Sequence, residues 1–473
     1  MNSIRSMFKR IDLTEGKPWK VILLFAIPIL FSLVLSSAFS LINALVLKTT
    51  VGGDSVSAVN STGSISNIIF QFAYGVAGGF TIVISEQIGK KDYDKLKKIY
   101  YNAIFLCVGL GILMTCIGLI VYDDLLVLLN VNERYFDKAK AYYQIVLISF
   151  VFMLLNNYFQ TSLRAMGDSF APLVISISGT VINIALAFLF TGVIKLDTRG
   201  VAIATLLANL TCAISAYIYT IKKYKFLASE EKIKLEKKLC LKMLGLGIPL
   251  GIQWSVIFVG SFFQDSQVNK FGDGLATKAV SCYAPIQSYL CMPIFAITTA
   301  MTSYTGQNYG KKDFDRIKKG IKEMLVVHLI LWLVTMCIGF ILIDYVPYIF
   351  LPRKEVDHYI EGPIIKYYCS TYLKIVIPCL ILQATLTLCR ATLEGIQKTT
   401  MTLVSAIGEL IARVCICAFI PSLINPTNPL SNESFLGICF STPLAWIISV
   451  LVMGIGVIYY LRKEIKLHKE KAC

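Results

Sequence analysis

Twelve apolar runs, each long enough to cross a ~30 Å hydrocarbon layer as a helix, alternate along the chain with short polar connectors. They lie near Trp19–Leu47, Val56–Ile88, Ile99–Tyr122, Ala139–Leu163, Pro172–Ile194, Val201–Tyr224, Leu241–Gln264, Ala279–Thr305, Ile321–Val346, Ile364–Cys389, Met401–Leu423 and Phe435–Leu461. Helices are predicted for all twelve, because open strands would leave backbone N–H and C=O groups unpaired in lipid. The pattern therefore predicts an all-α polytopic membrane protein.

The polar connectors carry a second pattern. Gly89-Lys90-Lys91-Asp92-Tyr93-Asp94-Lys95-Leu96-Lys97-Lys98 returns as Gly310-Lys311-Lys312-Asp313-Phe314-Asp315-Arg316-Ile317-Lys318-Lys319, identical at seven of ten positions and offset by 310 − 89 = 221 residues. Ile27-Pro28-Ile29 answers Ile248-Pro249-Leu250 at the same offset, 249 − 28 = 221. Two landmarks at one spacing predict a duplicated half. Six spans per half is an even number, so both copies enter the membrane in the same orientation. The prediction is two six-helix lobes related by a pseudo-two-fold axis along the membrane normal. Residues 1–224 form the N-lobe (spans 1–6), 225–240 a polar, amphipathic cytoplasmic linker, and 241–473 the C-lobe (spans 7–12) with a basic tail.

Composition agrees with the pattern: of 473 residues 56% are hydrophobic and only 16% charged. The net charge of +16 would suit a nucleic-acid binder, but the cations sit beside the spans. They crowd the N-terminal tail, both copies of the duplicated connector, the linker and the C-terminal tail, whereas 421–434 holds no Lys or Arg. With twelve spans all the basic segments share one side, so both termini are expected in the cytoplasm, in the plasma (inner) membrane, with no nucleic-acid partner. The mostly polar stretch Met1 to Lys20 lacks a signal-peptide cleavage site, and the first span is expected to be retained. Fourteen cysteines, mostly within apolar runs and without metal-ligand spacing, read as small buried hydrophobes.

Polar residues within spans are costly and are the first functional candidates. Glu409 and Arg413, four apart in span 11, share a helix face in the favourable order. They are either a neutralised structural pair or a proton-accepting acid with its releasable partner. Asp265 and Gln264 end span 7, where a solvated carboxylate and a cation contact are both open readings; Asn43 is the equivalent of Gln264, since 264 − 43 = 221. Pro28 and Pro249 occupy equivalent places in the first span of each lobe, as hinges for alternating access or as static kinks. His328 reads as a packed neutral side chain, and Arg164 with Asp168 as a helix-end pair. With histidine only at His328, His358 and His468, no acid pair or nucleophile with its base, and no phosphate-cradling loop, neither an intramembrane enzyme nor a built-in ATPase is favoured.

Several stretches together resemble the multidrug and toxic-compound extrusion (MATE) transporters. They are Leu13-Thr14-Glu15-Gly16-Lys17-Pro18 before Ala26-Ile27-Pro28, Leu163-Arg164-Ala165-Met166-Gly167-Asp168-Ser169 with Pro172, and Gly306-Gln307-Asn308-Tyr309-Gly310. Further matches are Arg390 with Gly395 and Lys398, Gly408-Glu409-Leu410-Ile411-Ala412-Arg413, and Pro443-Leu444-Ala445-Trp446. The resemblance, which covers nearly the whole chain, implies a V-shaped pair of helix bundles around a central cavity. It also implies export of organic solutes driven by H⁺ or Na⁺ entry; the aromatic and Met residues along the spans suit cationic amphipathic solutes, and a membrane-embedded monomer without cofactor or metal is expected. At two positions where the family carries Asp, this chain has Asn43 and Ala187, while Asn183 and Thr205 remain. An amide does not titrate near neutral pH, so coupling is expected to rest on the C-lobe, with Glu409 first and Asp265 second. Asn43, Asn183, Thr205, Gln264 and Gln253 are the candidates for lining the substrate or cation path. The alternative transporter reading is a lipid-linked precursor flippase, which should carry a strongly basic cavity; here the charges lie mainly in loops.

Overall fold

A computed structural model describes residues 10–51, 53–128, 133–228 and 234–470, with all their side chains except those of residues 38–48, 53–54, 60, 64–65, 125, 128 and 273. Among the described residues no strand occurs. The long helices are α1 Pro18–Thr50, α2 Gly53–Lys90, α3 Tyr93–Leu128, α4 Phe136–Ala165, α5 Phe170–Phe188, α6 Asp197–Lys223, α7 Lys237–Val268, α8 Leu275–Lys311, α9 Phe314–Leu342, α10 Glu361–Gly395, α11 Thr399–Ile424 and α12 Phe435–Glu470. Among the described residues these make 12 helices long and apolar enough to cross a membrane, the fifth continuing through the π-helical turn Leu189–Val193. The chain is thus a multi-pass integral membrane protein.

The helices outrun the apolar stretches that predict them. α12 has 36 residues, about 54 Å at 1.5 Å per residue, against a hydrocarbon core of ~30 Å. Its last turns carry Arg462, Lys463, Lys466 and Lys469, cations that suit a helix C-terminus.

Because the helices extend so far, their connectors shrink to tight turns, and the duplication is visible there in the backbone. Lys91 and Lys312 both take left-handed φ, +59° and +63°. The next residue in each copy closes the helix, Asp92 N–H donating to Gln87 O at 3.1 Å and Asp313 N–H to Asn308 O at 3.0 Å. This is the usual way of satisfying the last carbonyls, with Lys in place of the more common Gly. Asp92 also opens α3, its Oδ1 accepting from Lys95 N–H at 3.0 Å. A second repeated turn ends α4 and α10, at Gly167 (φ +92°) and Gln397 (φ +64°). Its offset is 397 − 167 = 230. The nine additional residues fall between Lys319 and Gln397, a stretch that contains the short helices Val346–Phe350 and Arg353–Val356.

The chain forms two compact units, Met1–Ser255 with Thr302–Asp313, and Val256–Met301 with Phe314–Cys473. α7 and α8 each contribute to both. In the first unit Phe80, Tyr100, Phe150 and Tyr158 are fully or almost fully buried, and the Tyr158 hydroxyl donates to Tyr100 O at 2.9 Å. The described ends of the 225–240 segment are tied to α3: Tyr101 donates to Leu227 O at 3.0 Å, and Glu236 N–H to Asn102 Oδ1 at 2.8 Å. In the second unit Tyr283 stacks on Tyr372 at 3.9 Å between ring centroids, and Phe271 packs edge-on to Phe435.

Candidate functional site

The second unit buries a cluster of charges from two helices, joined by hydroxyls from two more. On α11, Glu409 and Arg413 form the predicted i,i+4 pair, Arg413 Nη2 donating to Glu409 Oε1 at 2.7 Å. Sequence reasoning missed the other members, because they come from distant parts of the chain. Arg390 of α10 brings a second guanidinium to 3.8 Å from Glu409 Oε2. Ser449 of α12 donates to the same oxygen at 3.4 Å. Ser261 of α7 accepts from Arg413 Nη1 at 3.0 Å. The side chains of Glu409, Arg390 and Arg413 are 4%, 4% and 7% exposed. Glu409 thus lies between two guanidiniums in a region from which water is nearly excluded, and the buried Glu394, one turn after Arg390 on α10, sets a second carboxylate near Arg390. Such a grouping persists only while its members satisfy one another.

Asp265 is different. It stands near the end of α7 with an exposed side chain, while its neighbour Gln264 is buried and accepts from Thr442 of α12 at 2.8 Å. The last turn of α7 therefore anchors one amide by a hydrogen bond and holds one exposed acid within electrostatic reach of Arg413.

The first unit contains a polar network made only of neutral groups. Asn183 of α5 donates to Thr205 Oγ1 of α6 at 3.3 Å. One turn on, Asn209 donates to Thr205 O at 3.0 Å and accepts from Asn156 of α4 at 3.0 Å. Gln160 donates to Asn156 at 2.7 Å, and its own Oε1 accepts from Ser176 of α5 at 2.8 Å. Asn156, Gln160, Ser176 and Asn209 were not singled out from the sequence; a polar side chain every turn of span 4 was the signal available. Ala187 is buried, and its carbonyl accepts from Thr191 at 2.7 Å. Amides and hydroxyls arranged in this way can pass hydrogen bonds along or contact a polar solute, but cannot carry a proton as a titrating acid would.

The remaining predicted residues are scattered. Gln253 of α7 is fully buried in the first unit. Pro28 lies within α1 and Pro249 within α7. Asn43 lies outside the residues whose side chains are described. His328 is 1% exposed, with neither ring nitrogen hydrogen-bonded. The expected helix-end pair of Arg164 and Asp168 is replaced: buried Asp168 accepts instead from Lys223 and Tyr219 of α6. Packing α6 against the α4–α5 turn brings those groups closer than the neighbour in sequence. Among the described residues no group of three or more His, Cys, Asp or Glu could hold a metal ion.

Comparison with known proteins meets this geometry from outside. The MatE family model matches residues 28–189 and again 249–419, two blocks whose starts differ by 249 − 28 = 221. The Probable multidrug resistance protein YoeA of Bacillus subtilis is 28% identical over 351 residues, covering 72% of this chain and 76% of its own. The Probable multidrug resistance protein YpnP of the same organism is 31% identical over 306 residues, 64% of this chain and 67% of its own. A solved multidrug resistance MATE family transporter of the MOP superfamily, in its outward-facing conformation, superimposes with a TM-score of 0.83. Its identity is 20%, over 96% of this chain and 99% of that one.

Proposed function

This chain belongs to the MatE family, and from that premise we propose that it is a secondary active exporter of organic, cationic amphipathic solutes, driven by H⁺ or Na⁺ entry. Its site would open alternately to either side of the plasma (inner) membrane, with both termini in the cytoplasm. Small organic solutes are the partners of this reading, and the protein acts as a monomer.

The observation that carries the coupling assignment is the contrast between the two units. The polar network of α4, α5 and α6 is neutral, whereas the second unit holds Glu409 and Asp265. Sequence alone ranks Glu409 ahead of Asp265, and the geometry favours the reverse order. Protonating Glu409 would surrender two guanidinium contacts and leave Arg390 and Arg413 facing each other in a dry interior. Asp265 is exposed and is influenced by Arg413 from a distance, so an ion exchanged there breaks no direct guanidinium pair. We assign Asp265 as the coupling acid and Glu409 with Arg413 and Arg390 as the brace holding α7, α10, α11 and α12 around it.

The test uses purified protein in proteoliposomes, with efflux of a fluorescent organic cation followed under an imposed pH or sodium gradient. Asp265→Asn is expected to abolish the gradient dependence, and Glu409→Gln to lower the yield of folded protein. Gradient dependence unchanged in folded Asp265→Asn would remove the assignment.

A further inference from the structure

At the basic end of the first unit three helices touch backbone to backbone. A Cβ built on Gly89 of α2 would lie 1.8 Å from Gln307 O of α8, and one on Gly310 of α8 would lie 2.0 Å from Glu86 O of α2. The two contacts are copies of each other, since 307 − 86 = 221 and 310 − 89 = 221, so each helix lends the other the same glycine at the same place. α2 meets α7 in the same manner. A Cβ on Gly79 would lie 2.4 Å from Gly247 Cα, and one on Gly75 would lie 2.3 Å from Leu250 O. Ordinary contact begins near 3.4 Å, so a single methyl at Gly89 or Gly310 forces the helices more than an ångström apart.

One carboxylate ties this crossing together. Glu86 is 6% exposed and accepts from Lys242 of α7 at 2.8 Å and from Lys90 of its own helix. Nearby, Gln307 donates to Ala165 O at 2.9 Å and Asn308 to Leu13 O at 3.1 Å. The basic connectors place this end in the cytoplasm. Farther along, α7 and α8 leave the first unit, at Ser255/Val256 and Met301/Thr302.

We propose that this crossing is the cytoplasmic closure of the transport cycle and that Glu86 is the positioning residue that latches α7 onto α2. The inference rests on the alternating-access reading above. Three features suit a contact that breaks and reforms. At Gly89 and Gly310 the helices meet backbone to backbone with no side chain between them, while Phe72, Val76 and Phe80 of α2 rest on the smooth surface of Gly247 and Gly251 of α7. The polar groups released on parting face the aqueous end, where water replaces their partners. Lys90 and Lys242 are already 38% and 40% exposed, so the ion pair holds the closure only weakly and can let go.

The test uses the full chain in proteoliposomes, with spin labels on noncanonical side chains at positions 94 of α3 and 238 of α7, so that the native cysteines stay intact. Pulsed dipolar spectroscopy should find a shorter and a longer separation in the wild type. Gly89→Ala with Gly310→Ala should shift the population to the longer one. Glu86→Gln and Lys242→Gln, which add no bulk, should each raise the long-to-short ratio roughly three- to tenfold, and combining them should add little. Gly78→Ala and Gly245→Ala, where a built Cβ meets nothing within 4 Å, should leave it unchanged. A single separation in the wild type under every gradient, or an unshifted distribution in Glu86→Gln, overturns the proposal. Dye efflux is measured on the same samples. Shifting distances without wild-type efflux would support the closure and overturn the export reading.

Discussion

Replacing the two ends of the Glu409–Arg413 pair one at a time should have unequal consequences, and the structure says which is worse. At an effective dielectric of about 20, the attraction of Glu409 to Arg413 across 2.7 Å is roughly 6 kcal/mol before desolvation, and that to Arg390 across 3.8 Å roughly 4 kcal/mol. Arg413→Gln forfeits the first and keeps the second, leaving a neutral Glu409–Arg390 pair still supported by Ser449. Glu409→Gln forfeits both and leaves the two guanidiniums with Glu394, near Arg390, as the remaining buried carboxylate. Removing one partner of a buried pair typically costs about 3–5 kcal/mol. We place Glu409→Gln in that range and Arg413→Gln at about 2 kcal/mol. The double variant, which also removes one of the stranded cations, should be more stable than Glu409→Gln alone. Thermal unfolding in detergent micelles, read by the fraction of monodisperse protein, ranks the three. If Arg413→Gln melts at or below Glu409→Gln, or if the double variant loses the sum of the two, Arg390 is not the second counter-ion and the charge accounting fails.

Two further outcomes follow from the connectors. Lys91 and Lys312 hold left-handed backbone that costs a side-chain-bearing residue about 1–2 kcal/mol, so Lys91→Gly or Lys312→Gly should raise the unfolding midpoint in the same melt, despite the lost cation. At the N-terminus, partial burial raises the Asp12 carboxyl, but the hydrogen bonds from the Thr14 hydroxyl and N–H outweigh it and hold the group below its usual value. A carboxyl so lowered contributes stability above its unfolded pKa of about 3.9 and loses it as pH falls through the folded value. Protease resistance of the segment before α1 should hold from neutral pH to about 4 and decline below it, and Asp12→Asn should flatten that decline.

Much of the architecture was legible because the bilayer simplifies the reading. Spans of apolar residues must become helices in lipid, and a 221-residue offset between two connectors must mean duplication. The site was legible only in part. Glu409 and Arg413 stand four apart on one helix, so their pairing could be read directly. Asp168 shows the opposite case, because a sequence neighbour, Arg164, was the natural partner and α6 supplied Lys223 instead.

By itself the chain determined its class, its span count and its repeat, since each depends on local composition or spacing. Tertiary structure alone decided that Arg390 comes within 3.8 Å of the buried Glu409, that Asp265 is exposed, and that Gly89 and Gly310 cross reciprocally. The physical reason is that burial and electrostatic partnership are sums over neighbours in space. Those neighbours come from helices tens to hundreds of residues apart, and no periodicity along one helix encodes which face another will cover.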